Sequence, residues 1–144
     1  MKTKKKSGSN IKWTPEQLDK ALMTAEEYME RSTIPFILLG QTLRSVMDKE
    51  QVDGEKIEIG IRKQHLTSDT LGMLKMVVDI TQIHDKDNKL TKIKFRVDDV
   101  PVEVLVIHKK FKVVENPNII WYKVTQYRIP NPVDEYWKAR HFLR

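Results

Sequence analysis

Lys56-Ile57-Glu58-Ile59-Gly60-Ile61-Arg62 sets charged or small residues against isoleucine at period two, the pattern of a strand with one buried face. Everything else in the fold is read outward from it. Upstream, Phe36-Ile37-Leu38-Leu39 is wholly apolar, ends at Gly40 and is too short for a core helix, so it predicts a buried strand beside residues 56–62. Downstream, Val77–His84, Leu90–Val97 and Pro101–His108 are rich in β-branched residues and are separated by Asp85-Lys86-Asp87-Asn88 and Asp98-Asp99, which read as hairpin turns. Ile119–Ile129 supplies one more strand.

Helices fill the intervals. Thr14-Pro15-Glu16-Gln17 combines a capping residue, a proline suited to the first helical position and a capping-box glutamine. Leu18, Ala21, Leu22, Ala25, Tyr28 and Met29 then recur at steps of three and four. A second helix is expected from Thr42 to about Lys49, and a third from Thr67-Ser68-Asp69 through Leu71 and Leu74 and as far as Val78, its C-terminal boundary left open by Gly72. A short one follows Pro130-Asn131-Pro132, over residues 133–140. The order predicts an α+β fold, a mixed sheet with helices packed mainly on one face.

The length of 144 residues, 40% of them apolar and 32% charged, suits a single domain over 13–144 preceded by a basic tail over 1–12. No apolar run approaches the ~20 residues of a membrane span and the lysines at the start are not followed by an apolar stretch, so a cytoplasmic protein without membrane insertion is expected. The absence of cysteine excludes disulfides, thiolate nucleophiles and Cys-ligated zinc. The net charge of +6 lies almost wholly in Lys2, Lys4, Lys5, Lys6 and Lys12, leaving the rest nearly neutral. Such a tail either solubilises the chain or touches nucleic-acid backbones non-specifically.

His65, His84, His108 and His141 show no zincin spacing. With five glycines in all, Walker, dinucleotide and nucleophile-elbow motifs are missing too. What remains is acidic. Glu58 lies within the isoleucine alternation and Glu103 within Val102-Glu103-Val104, both on faces opposite their apolar neighbours. If their strands adjoin, the two carboxylates converge, and paired hard oxygen ligands are what Mg²⁺ requires; the alternative is that both lie on a solvated sheet face, opposite Lys56 or Arg96.

Leu38-Leu39-Gly40-Gln41-Thr42-Leu43-Arg44 followed by Gly54-Glu55-Lys56-Ile57-Glu58-Ile59-Gly60-Ile61 resembles the glycine turn and acidic strand of the nucleotidyltransferase fold, nearest to its LicD/fukutin-like branch and to stand-alone minimal nucleotidyltransferases. Arg128-Ile129-Pro130-Asn131-Pro132-Val133-Asp134-Glu135-Tyr136-Trp137-Lys138 looks like the segment that closes LicD-like domains. The resemblance spans about residues 14–140. It implies catalytic Glu58 and Glu103, Mg²⁺ on Glu55, Glu58 and Glu103, and a nucleoside triphosphate on Gly40, Gln41, Thr42, Arg62 and Lys63. The implied reaction is nucleotidyl or phosphoryl transfer, or nucleotide binding alone in a degenerate member. Lys56 stands where the family has an acid, and Gln41 where it has a small residue. The alternative is a structural or interaction protein, such as a component of a phage or regulatory assembly; oligomeric state is left open.

Overall fold

Thr14 and Gln17 close the expected capping box, each side chain bonding the other's backbone N–H, and α1 (Pro15–Arg31) follows. A computed structural model describes residues 13–48 and 54–140 of the chain; the lysine tail and His141 lie outside them. After α1 come β1 (Ile37–Leu38), α2 (Gly40–Met47), β2 (Ile57–Arg62), a 3₁₀ turn (Lys63–His65) and α3 (Ser68–Val77). The remainder is β3 (Ile80–Lys86), β4 (Lys89–Val97), β5 (Val100–Ile107), α4 (Lys112–Glu115), β6 (Asn118–Tyr122), β7 (Thr125–Ile129) and α5 (Val133–Ala139).

The strands form one seven-stranded mixed sheet in the order β3-β4-β5-β2-β1-β7-β6, an α+β architecture. The three apolar strands singled out in the sequence are neighbours at its centre, β2 parallel to β5 and antiparallel to β1. Ile57, Ile59 and Ile61 stand in register with Val102, Val104 and Val106, and all six are buried. Leu18, Leu22, Ala25 and Met29 of α1 are buried with them, and Tyr28 meets Phe95 edge-on at 6.3 Å. Each such side chain removed from water contributes roughly 1.5–3 kcal/mol, which makes this layer the main source of stability. Gly60 leaves room for the Leu39 side chain over the sheet, since a Cβ there would stand 2.6 Å from Leu39 Cδ1.

Four expectations are corrected. Helix α3 runs through Val77 and β3 begins only at Ile80, because the Thr67–Thr70 capping box and the burial of Leu74 hold those residues helical. Residues 119–129 are two strands, turned at Lys123 (φ 56°), without the Gly or Asn that marks most tight hairpins. Helix α2 begins at Gly40 rather than Thr42. Helices also cover both sheet faces: α3 packs on α1, whereas α5 and α4 close over the other face, where β5 offers Leu105 and Ile107 to be covered. By contrast, both aspartate turns are hairpins, with positive φ at Asp87-Asn88 and Asp98-Asp99.

Candidate functional site

The parallel register aligns Glu58 with Glu103 on the sheet face away from α1, so the two carboxylates adjoin on strands about 4.8 Å apart. Neither acts alone. Lys56 Nζ donates to Glu103 Oε2 at 2.8 Å, and Lys92 of β4 reaches Oε1 at 3.2 Å, diagonally across the ladder. Burial by itself would raise the Glu103 pKa, but the two ammonium groups prevail and hold it below the ordinary carboxylate value.

Glu58 is built into the start of α2. Its Oε1 accepts from Gln41 N–H at 3.1 Å, its N–H donates to Thr42 Oγ1 at 2.9 Å, and its carbonyl accepts from Leu39 N–H at 3.1 Å. Gly40 N–H donates to the Tyr136 hydroxyl at 2.8 Å. The first turn of α2 thus directs its N–H groups at side chains of its own chain, and a carboxylate complements the positive end of that helix. Gly40 is required by this arrangement: its φ is 55°, and a Cβ would lie 2.6 Å from the Glu58 carboxyl.

The structure brings Gly40, Gln41, Glu58 and Glu103 to one cleft of about 600 Å³. Thr42 is fully buried, its hydroxyl holding the Glu58 backbone. Arg62 and Lys63 stand at the far end of β2, and neither lines this cleft. Glu55 lines a neighbouring cavity, its carbonyl accepting from Trp13 Nε1 at 3.0 Å.

Among the lining residues not expected from the sequence are Arg44, Lys92, Trp137 and Arg140. The guanidinium carbons of Arg44 and Arg140 stand 4.6 and 5.3 Å from the Trp137 ring centre, within cation–π range, and Tyr136 meets the same indole edge-on at 4.9 Å. Arg44 had a signal, lying one helical turn beyond Gly40. Nothing local marks Lys92 or Arg140 among many other basic residues.

No family model matches the chain, and no curated protein does. Chemistry must therefore be read from the side chains.

The cleft does not fit Mg²⁺. Both oxygens of Glu103 face ammonium groups, Glu55 opens on another cavity, and no group of three or more acidic or histidine side chains among the described residues is placed to hold a metal. It fits an anion better: Arg44 and Arg140 line it together with an aromatic face, while Glu103 is already paired with Lys56 and Lys92. No helix among the described residues is long and apolar enough to cross a membrane.

Proposed function

We propose that the protein binds a phosphate-bearing ligand, a nucleotide in the first instance, in the cleft between β2, β5 and α5, and that it does so without Mg²⁺. The observation that carries this reading is the convergence of Arg44 and Arg140 on the Trp137 indole, in a cleft where Glu103 is already paired with Lys56 and Lys92. Phosphate oxygens pair with guanidinium forks, and a base stacks on an indole. The cleft volume lies within the range of ordinary small-ligand sites. The resemblance to nucleotidyltransferases supports the nucleotide; Lys56 and Lys92 on Glu103 support binding over transfer.

Tryptophan fluorescence and calorimetry with ATP, GTP, CTP and UTP, each with and without Mg²⁺, test it. Binding that survives EDTA and is lost in Arg44→Ala, with the optical signal lost in Trp137→Phe, is the expected result. Mg²⁺-dependent turnover, abolished by Glu58→Ala and Glu103→Ala, would instead show an active transferase.

A second reading, a non-catalytic interaction protein, is favoured by the edge hairpin β6–β7, which exposes Ile119 (55%), Trp121 (63%) and Val124 (79%). Absence of nucleotide binding together with self-association of the purified chain would favour it.

A further inference from the structure

At the opposite end of β2 the same sheet face carries a different charge pattern. Ile37 of β1 stands in register with both Gly60 and Arg128, so Arg128 of β7 shares the face of Gly60 and, one alternation on, of Arg62. The 3₁₀ turn that follows β2 folds His65 back until Arg62 Nη2 lies 3.1 Å from His65 Nε2. Arg62, His65 and Arg128 line one cavity of about 250 Å³, walled by Ile37, Val114 and Pro117 among others, and no acidic side chain among the described residues lines it. Neither arginine belongs to any ion pair among the described residues.

A guanidinium can only donate, so the Arg62 bond makes Nε2 an acceptor and the His65 imidazole neutral, with its proton on Nδ1. The surroundings agree: burial first, then the charges of Arg62 and Arg128, hold the His65 pKa below its ordinary value. The two guanidinium groups of Arg62 and Arg128, gathered in one concave site with no acidic side chain among the described residues lining it, repel one another, and a bound anion relieves that repulsion.

We propose that Arg62, His65 and Arg128 form a binding site for one small tetrahedral dianion, a phosphate or sulfate group, separate from the nucleotide cleft. The cavity is below the size of ordinary drug-like ligand sites, which matches one such group with at most a short appendage. Arg62 and Arg128 supply donors in fork geometry; once Arg62 donates to the anion instead of to His65 Nε2, that nitrogen is free to take up a proton and the anion makes the imidazolium form of His65 favourable.

The test uses sodium sulfate first, because sulfate does not titrate between pH 6 and 8, so any pH dependence belongs to the protein. Against sodium chloride of equal ionic strength, sulfate should raise Tm saturably and raise the pKa read from the His65 imidazole resonance. Arg62→Gln and Arg128→Gln should each weaken binding about tenfold. His65→Gln should abolish the tightening expected as pH falls from 8 to 6. Nucleotide binding in the other cleft should be unchanged in all three variants, so failure of one site is distinguishable from failure of the other. Comparing inorganic phosphate with phosphoserine then assigns the source: tighter phosphoserine indicates a phosphate carried on a larger molecule, tighter inorganic phosphate the free ion. Arg62→Lys and Arg128→Lys keep the charge, so reduced affinity with unchanged Tm in the absence of anion separates recognition from folding. A sulfate effect no larger than that of matched chloride, or Gln variants that bind as wild type does, would overturn the proposal.

Discussion

Glu58 and Arg62 occupy the same face of one strand, about 13 Å apart, and their surroundings are opposites. Around Glu58 charges of both signs interlock: its carboxylate receives the α2 backbone, and the adjoining Glu103 is clasped by Lys56 and Lys92. Among the described residues, those that line the cavity beside Arg62 include basic side chains and no acidic one. At Glu103 the two ammonium groups outweigh burial and favour the charged form, whereas at His65 burial first, and the like charges of Arg62 and Arg128 next, favour the neutral one. An ionisable residue on this sheet is therefore structural or available according to its neighbours, not its type. Helix α1 carries the acidic counterpart. Glu26, beside Glu30 and Glu27, is pushed up to about 7, by burial first and by its fellow carboxylates next.

The most severe break should come from Gly40→Ala. It imposes a side chain on a left-handed backbone position and on the Glu58 carboxyl at once, so a loss of about 3 kcal/mol, or on the order of 10 °C in Tm, is expected from thermal unfolding. An unchanged Tm would show that the Glu58 end is not a fixed unit.

Glu103→Gln should cost about 1.5 kcal/mol at neutral pH, as two charge-assisted bonds weaken at a site partly open to water. The sign with pH is determined. A depressed folded-state pKa means that the contribution is present above the ordinary value of 4.5 and is lost as pH falls through the lowered one. Denaturant midpoints of wild type and variant should therefore converge in acid.

Lys56→Asp would turn the mixed cluster into an acidic one. With 10 mM Mg²⁺ the variant should gain about 1 kcal/mol while wild type gains nothing beyond the effect of ionic strength. Equal responses would show that lysine at this position is not what keeps cations out.

The smallest effect is expected for Glu26→Gln. Because the folded-state pKa is raised, ionising Glu26 penalises folding progressively from pH 4.5 to about 7 and fully above that. The variant should be more stable by about 0.3 kcal/mol at pH 8 and no different at pH 4, in equilibrium denaturation.

The part of the fold legible in the sequence was the part governed by local periodicity. The isoleucine alternation of residues 57–61, the apolar run at 36–39, the Thr14 capping box and the aspartate turns all have causes within a few residues. The β6–β7 hairpin was missed because Lys123 turns the chain without a turn-forming side chain, and tertiary pairing of Ile120 with Tyr127 selects it. Helix coverage of the second face was missed because α4 and α5 are short and owe their docking to contacts with residues far along the chain.

For the candidate site, the residues alone determined that Glu58 and Glu103 face away from the core and that Gly40 closes a strand against a helix, since strand alternation admits no other placement. Tertiary structure alone decided what those groups do. Lys92 reaches Glu103 only because β4 lies beside β5, Tyr136 meets Gly40 across 96 positions of chain, and Arg62, assigned by resemblance to the phosphates of the first cleft, lines one cavity with Arg128 because only β1 separates β2 from β7. Charge acts through space over a few ångströms, and no local pattern records which distant segments the sheet order will bring within that distance.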